Sequence, residues 1–170
     1  MGIVSALVRT VPDYPEPGIL FRDLTPVFAD PVGLHAVIDE LVRRFSGRFD
    51  LIAGIEARGF LLGAAAAYAT GTGVAAVRKA GKLPGRVLSE RYVLEYGEAQ
   101  LEIGEGIVPA GSRVLILDDV LATGGTADAA RRLLTRAGGT VVGLGVVMEL
   151  SDLGGRSRMG DLPVVSLLTS

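Results

Sequence analysis

Apolar positions along the chain follow two different periods, which alternate from one segment to the next. Short, nearly continuous apolar runs are typical of strands buried on both faces of a parallel sheet, and they occur at 50–55, 74–78, 114–117, 140–148 and 164–168. Apolar residues at helical spacing occur at 4–11, 34–45, 60–70 and 127–137. This alternation predicts an α/β fold with a mostly parallel central sheet flanked by helices.

Helix boundaries are marked by proline and glycine. Asp30-Pro31 predicts a helix start, with a capping carboxylate followed by proline at the first helical position. The apolar positions within 4–11 predict an amino-terminal helix that stops at Pro12. Gly138-Gly139 predicts the end of the helix at 127–137.

The strand at 114–117 leads into a segment rich in small and polar residues. Asp118 and Asp119 follow it, and Thr123-Gly124-Gly125-Thr126 comes just before the next helix. Glycines let backbone N–H groups turn toward one point, threonines add hydroxyl donors, and the helix contributes the positive end of its dipole. The segment therefore predicts a binding site for one phosphate group.

Two adjacent carboxylates at the end of a buried strand repel each other and lose hydration. Ribose hydroxyls or a hydrated Mg²⁺ would keep Asp118 and Asp119 ionised, so the pair beside a phosphate site indicates a sugar phosphate. The alternative is an ordinary strand, turn and helix in which Asp119 or Thr123 only caps. The segment has neither the lysine of a Walker A loop nor a GxGxxG pattern.

Composition narrows the class of protein. With 170 residues, a formal net charge of −2 and no basic run, the chain is expected to form one domain without a nucleic-acid surface. It has no cysteine, and its single histidine, His35, lies in a helical pattern. Neither a secretion signal nor a membrane span is expected, so we predict a cytoplasmic location.

A second charged turn joins a strand to a helix. Glu56-Ala57-Arg58-Gly59 follows the strand at 50–55, and Arg58 can direct its guanidinium at a second anion or pair with a carboxylate elsewhere. Lys79, which follows the strand at 74–78, is a further candidate for binding that anion. The basic, glycine-hinged segment 80–91 predicts a lid, and the alternation over 92–103 predicts a hairpin.

The segment YPEPGILFRDLTP, Tyr14 to Pro26, combines prolines with Ile19, Leu20 and Phe21 as residues to bury. Such a stiff loop suits recognition of a flat ring through backbone groups. A proline-rich connection that covers a sheet edge is the alternative.

Two of these segments together resemble one family. VLILDDVLATGGTA is similar to the 5-phosphoribosyl-1-pyrophosphate (PRPP) binding motif of the type I phosphoribosyltransferases, and YPEPGILFRDLTP resembles the purine-binding segment of members that act on adenine. The resemblance implies a single domain with a small hood mainly from about 12–26 and a flexible lid at about 80–98. It also implies transfer of a phosphoribosyl group to adenine with Mg²⁺, in a homodimer.

The resemblance further assigns roles to residues. Arg58, Lys79 and Lys82 would bind pyrophosphate, in a loop where family members often carry a cis peptide, here expected at Glu56-Ala57. The remaining assignments are Leu20, Phe21 and Arg22 to adenine; Asp118, Asp119, Ala122, Thr123, Gly124, Gly125 and Thr126 to ribose and its 5′-phosphate; Glu95 and Arg58 to catalysis; and Tyr96 to the lid. Mg²⁺ would be held mainly by the substrate, with Asp118 and Asp119 as possible ligands.

Two other functions fit parts of the pattern. A phosphoribosyltransferase for xanthine or another oxopurine would keep the phosphate site and change the base segment. A regulator that senses PRPP would keep the fold and add a DNA-binding module or a basic face, which this sequence does not show. Glu95, taken without the resemblance, would be a surface carboxylate on a strand.

Overall fold

A computed structural model describes residues 2–93 and 97–170. The strands are β1 (Arg9–Pro12), β2 (Leu20–Asp23), β3 (Leu51–Ile55), β4 (Gly73–Lys79), β5 (Val87–Val93), β6 (Glu98–Gly104), β7 (Arg113–Leu121), β8 (Thr140–Glu149) and β9 (Val164–Thr169). The helices are α1 (Gly2–Leu7), α2 (Thr25–Ala29), α3 (Pro31–Arg44), α4 (Gly59–Thr70), α5 (Gly125–Arg136) and α6 (Gly155–Arg158), with a 3₁₀ turn at Ser151–Leu153.

The strands of the described residues form two separate sheets. The large one has the order β5-β6-β4-β3-β7-β8-β9, in which the five strands β4, β3, β7, β8 and β9 are parallel. β6 is antiparallel to both β4 and β5. The predicted α/β fold with a mostly parallel sheet flanked by helices is confirmed.

Helices cover both faces of the large sheet. Along β7, Leu115 and Leu117 pack into the core beneath α3 and α4, whereas Val114 and Ile116 face α5. All four side chains are fully buried. The continuous apolar run seen in the sequence thus reflects a strand that is enclosed on two sides.

The strand arrangement changes direction between β3 and β7. From β3 the chain crosses through α4 to β4 on one side, and from β7 it crosses through α5 to β8 on the other. β3 and β7 stay paired up to Gly54 and Leu117, after which β7 continues beside β8 alone as far as Leu121. A crevice at such a switch point, outside the carboxyl ends of the strands, is where open α/β sheets bind ligands.

The sequence predicted that the strand ends at Leu117, before Asp118 and Asp119, and this is wrong, because the strand continues to Leu121. Both belong to β7, and Asp118 still pairs in register with Val146 of β8. They lie at the crevice because the neighbouring strand β3 ends, while their own strand continues.

The amino-terminal helix is shorter than predicted. α1 ends at Leu7, and Arg9–Pro12 forms β1, which pairs antiparallel with Leu20–Asp23. An ion pair between Arg9 and Asp23, 2.6 Å from Nη2 to Oδ2, joins the two strands. The helical spacing of Val8 and Val11 was misleading because the strand pairing depends on partners eight to fourteen residues further along the chain.

Other boundaries agree with the sequence or differ at one end. Asp30 caps α3, since its carboxylate accepts a hydrogen bond from the Gly33 N–H at 2.7 Å. Within the predicted lid, residues 87–93 form β5 of the large sheet, so an irregular segment remains only at about 80–86. No helix within 2–93 and 97–170 has both the length and the apolar character needed to cross a membrane.

Candidate active site

A small cavity lies at the start of α5. Its volume is about 100 Å³, and it is lined by residues 120–127 together with Asp118 and Val146. Gly124 caps the helix with φ +79°, a conformation that glycine adopts without strain. The cavity therefore brings together every residue from Ala122 to Thr126 that the sequence assigned to a phosphate.

On its outer side, the backbone of the phosphate loop is in close contact with a second glycine-containing turn, at Gly154-Gly155. A Cβ atom at Gly124 would lie 2.6 Å from the carbonyl oxygen of Gly155. Sequence reasoning missed this contact, because 149–160 showed only a glycine-rich, irregular composition.

The two carboxylates of β7 have different surroundings. Asp119 is only 7% exposed, and its Oδ2 lies 2.7 Å from Nε of Arg58. Burial raises the pKa of the Asp118 carboxyl well above its usual value, and the negative charge of Asp119 raises it further. Asp118 Oδ1 accepts a hydrogen bond from the Asp119 N–H at 2.9 Å. One carboxylate is thus already paired with a cation, while the other lacks a compensating charge of comparable strength.

A larger cavity of about 490 Å³ opens beside this pair. Its lining comes from the two carboxylates, the turn after β3, the end of β4 and the hairpin of β5 and β6. The lining residues are Glu56, Ala57, Arg58, Lys79, Tyr92, Ala99, Leu101, Asp118, Asp119 and Thr126. The peptide bond between Glu56 and Ala57 is cis, as expected. Asp118 and Asp119 therefore face the same cavity as Arg58 and Lys79.

Carboxylates of the protein hold the basic residues around this cavity. Arg58 pairs with Asp119, which is the alternative considered for this arginine. Lys82 Nζ lies 2.9 Å from Oε1 of Glu56, and the Lys79 N–H donates to Oε2 of the same carboxylate at 2.9 Å. The contact with Lys82 and that with the Lys79 backbone are the main causes that lower the pKa of Glu56. An anion entering the cavity would compete with Glu56 and Asp119 for these cations.

A third cavity, of about 190 Å³, lies against the β1–β2 hairpin. It is lined by Ile19, Leu20, Phe21, Arg22, Arg58, Val120, Met148 and Leu150. Most of these side chains are apolar, and the cavity is bounded on one side by an edge of the hairpin, so a flat ring fits its chemistry. Leu20, Phe21 and Arg22 are thus brought together, as predicted.

The base segment itself is more exposed than the sequence predicted. Leu20 is 60% exposed and Ile19 is 43% exposed, so these two residues are not buried in the core. Phe21 is fixed by an edge-to-face contact with Tyr14, with ring centroids 5.1 Å apart. Arg22 donates to the Thr10 hydroxyl at 2.6 Å. Instead, the apolar residues of the segment line a cavity, and pairing of β2 with β1 supports them.

Tyr92 is a further residue of the site that sequence reasoning did not single out. It is 9% exposed, and its hydroxyl oxygen accepts a hydrogen bond from the Thr126 hydroxyl at 3.3 Å. The hairpin formed by β5 and β6 is thereby joined to the phosphate loop. Glu95 and Tyr96 lie outside the described residues, between β5 and β6 of this hairpin.

A metal site made by the protein alone is not found among residues 2–93 and 97–170, where no three His, Cys, Asp or Glu side chains converge. Two neighbouring carboxylates beside a phosphate cavity do suit Mg²⁺, which is commonly held by one or two carboxylates plus substrate phosphates. Asp118 and Asp119 therefore fit as its protein ligands only when a phosphorylated substrate supplies the others.

Comparison with known proteins agrees with this geometry. The sequence model of the phosphoribosyl transferase domain family matches residues 33–168 of this chain. Adenine phosphoribosyltransferase from Clavibacter sepedonicus is 64% identical over 98% of this chain and 87% of its own length. The enzyme of the same name from Arthrobacter sp. (strain FB24) is also 64% identical, over 98% of this chain and 90% of its own.

Solved structures give the same result. Adenine phosphoribosyltransferase from Thermoanaerobacter pseudethanolicus superposes with a TM-score of 0.94 at 44% identity, over 99% of both chains. The Saccharomyces cerevisiae enzyme, in complex with adenine and an imino-altritol bisphosphate, superposes with a TM-score of 0.92 at 41% identity, over 98% of this chain and 97% of its own. These relatives are named for adenine, which favours adenine over the oxopurine alternative, and they are named as transferases, which favours an enzyme over a sensor. The chain belongs to the phosphoribosyltransferase family, among the adenine phosphoribosyltransferases.

Proposed function

We propose that the three cavities together transfer the phosphoribosyl group of PRPP to adenine, giving AMP and pyrophosphate. The observation that carries this proposal is the position of Arg58, which borders both the cavity of the acidic pair and the cavity of the base segment. A ribose held by the first cavity and a base held by the second would face each other there. Holding two reactants in such an orientation is itself a large part of catalysis.

The sugar phosphate is the best supported reactant. The 5′-phosphate occupies the cavity of residues 122–126, where backbone N–H groups and the amino terminus of α5 attract an anion. Asp118 and Asp119 accept hydrogen bonds from the two ribose hydroxyls. These hydroxyls replace some of the hydrogen bonds from water that Asp118 loses on burial.

Pyrophosphate leaves toward the basic residues of the larger cavity. Arg58 and Lys79 line this cavity, and Lys82 lies on its Glu56 side. Their charges stabilise the negative charge that develops on the leaving group. When Mg²⁺ is bound with the substrate, it neutralises part of the same charge.

Adenine lies in the cavity of Leu20, Phe21 and Arg22. The backbone groups of Leu20 and Arg22 bind the edge of the ring, and Phe21 lies near its face. The bond from the anomeric carbon to pyrophosphate breaks as a ring nitrogen of adenine forms the new bond and loses its proton. Glu95 either takes part in that proton transfer or shields the positive charge on the ribose, and its role remains a prediction.

The predicted hood and lid would enclose the reactants during this step. The hood is expected mainly from about 12–26, which includes β2, and the lid at about 80–98 with Tyr96, of which 87–93 is strand β5 of the large sheet. A second copy of the chain would cover the outer side of α4, where Leu61 is 55% exposed and Tyr68 is 92% exposed. This helix is apolar on its outer side as well as toward the sheet, which is typical of a helix buried from both directions. The cytoplasmic location stays a prediction.

The proposal is tested by offering adenine, hypoxanthine, guanine and xanthine separately with PRPP and Mg²⁺. Turnover with adenine alone is expected, because the base segment presents the backbone edges that distinguish an amino from an oxo group. Turnover with an oxopurine would mean that the phosphate site is correct and the base site is not. Tight binding of PRPP without turnover of any base would support the sensor instead.

A further inference from the structure

The phosphate loop is supported from outside by a turn that carries no group for the substrate. A Cβ atom at Gly155 would lie 2.1 Å from the carbonyl oxygen of Ala122 and 2.9 Å from the N of Gly124. Two backbones are therefore in direct contact, without space for any side chain between them. The position of Gly155 consequently fixes where the loop can lie.

Gly155 begins α6, which has only four residues. A helix of this length does not hold its place by its own hydrogen bonds. The guanidinium of Arg156 fastens it to the ends of β8 and β9. Nε lies 2.9 Å from Glu149 Oε1, Nη1 donates to the Val164 carbonyl oxygen at 2.9 Å, and Nη2 donates to Glu149 Oε2 and to the Ser166 hydroxyl.

Arg156 also compensates a buried charge at the end of β8. Glu149 is 7% exposed, and its register partner in β7 is Leu121, the residue just before Ala122. Apart from Arg156, the Glu149 carboxylate accepts a hydrogen bond from Ser166 Oγ at 2.9 Å, which is a neutral donor. Loss of the arginine would leave this buried negative charge without a compensating cation.

We propose that Arg156 is a positioning residue for the 5′-phosphate, which it serves without touching the substrate. It holds Gly155 against the outside of the loop and neutralises Glu149. The inference rests on the proposed function, because it assumes that this loop binds the phosphate of a phosphoribosyl group.

The test compares Arg156→Met with Arg158→Met, a matched control on the same short helix whose side chain is exposed. Calorimetry measures the binding of ribose 5-phosphate, which requires the loop, and of pyrophosphate, which requires the larger cavity. We expect Arg156→Met to weaken the binding of ribose 5-phosphate at least tenfold and to change the affinity for pyrophosphate less than twofold. The KM for PRPP should rise, whereas the KM for adenine should not. Arg158→Met should match the wild type in all four.

Equal weakening of both ligands would overturn the proposal, since it would show a general loss of structure. An Arg156→Met variant that binds ribose 5-phosphate like the wild type would also overturn it. If this variant does not fold, Ser166→Ala and Arg156→Lys replace it, with a smaller but still selective weakening expected, because lysine keeps the charge and loses the fork geometry.

The electrostatic part has its own variant. Glu149→Gln combined with Arg156→Met removes the uncompensated charge and should bind ribose 5-phosphate more tightly than Arg156→Met alone. Equal affinities would overturn this part. A wild-type protein that neither binds ribose 5-phosphate nor turns over PRPP would instead refute the proposed function.

Discussion

Gly59, the first residue of α4, packs directly against Asp118, so a methyl group there is a sharp test of the site. In Gly59→Ala, the added carbon would lie 2.7 Å from the Leu117 carbonyl oxygen and 3.0 Å from Oδ1 of Asp118. Ordinary contact begins at 3.4 Å, so the helix and β7 must separate by roughly 0.7 Å, the difference between 3.4 and 2.7. Arg58 directly precedes Gly59, and it would move together with the helix.

Two effects on stability oppose each other in this variant. Overpacking costs about 1–3 kcal/mol, and replacing glycine by alanine in a helix returns about 1 kcal/mol. The net destabilisation is thus about 0–2 kcal/mol, or a fall in Tm of up to about 8 °C for a domain of this size. Activity should suffer more, since a displacement near 1 Å can cost about 100-fold. We expect kcat/KM to fall by about tenfold or more.

Gly63→Ala is the matched control, one turn further along α4. Its methyl group would lie 3.2 Å from the Gly54 Cα, a much smaller overlap at a distance from the carboxylates. Steady-state kinetics with PRPP and adenine, together with thermal unfolding, compare both variants with the wild type. A Gly59→Ala protein with kcat/KM within twofold of the wild type, or a Gly63→Ala protein that loses as much, would refute the reasoning.

Three further predictions concern the carboxylates and α4. Replacing Asp118 and Asp119 together by alanine should lower kcat/KM by well over tenfold, since a loss of even about 1.4 kcal/mol of transition-state stabilisation gives that factor; a folded variant with wild-type activity would exclude their assignment. Because the pKa of Asp118 is raised above 3.8, this carboxyl binds more proton in the folded than in the unfolded state, and its own contribution to the free energy of unfolding should fall as pH rises above that value. Carboxyls with lowered pKa values, such as Asp23, Glu40 and Asp50, contribute in the opposite direction. Urea unfolding at a series of pH values should show that the wild type loses stability relative to Asp118→Asn as pH rises, and a difference that does not change with pH would contradict this. Tyr68→Glu should convert a dimer to a monomer in light scattering, whereas Ile107→Glu, at another exposed apolar position, should not; a Tyr68→Glu protein that stays dimeric would place the interface elsewhere.

The elements that the sequence predicted well are those whose cause is local. The run from Val114 to Leu117 is enclosed on two faces, so each position had to be apolar. Asp30 and Pro31 start α3 through a hydrogen bond within three residues. The residues at 122–126 line one cavity at the start of α5, which the glycines, threonines and helix start that lie together in the chain already indicated, and their role in binding a phosphate stays a prediction.

The elements that were missed depend on partners distant in sequence. Arg9–Pro12 is a strand because it pairs with Leu20–Asp23, and the helical spacing of its apolar residues gave no sign of this. The support of the phosphate loop by Gly155 is a contact between backbones more than thirty residues apart, which leaves no pattern in the side chains. A conspicuous glycine pair, Gly154-Gly155, was the available signal, but composition alone does not reveal what it touches.

The β1–β2 hairpin shares no strand pairing with the seven-stranded sheet, although it supplies residues 19–22 of the base cavity. Under the proposed function, part of the surface that selects the base therefore lies outside the large sheet, although Arg58, Val120, Met148 and Leu150 complete that cavity. New base preferences could arise by exchange of one short amino-terminal segment, while the sugar phosphate chemistry is inherited unchanged. For engineering, residues 19–22 are the positions to vary first, since none of them lines the cavity of residues 120–127.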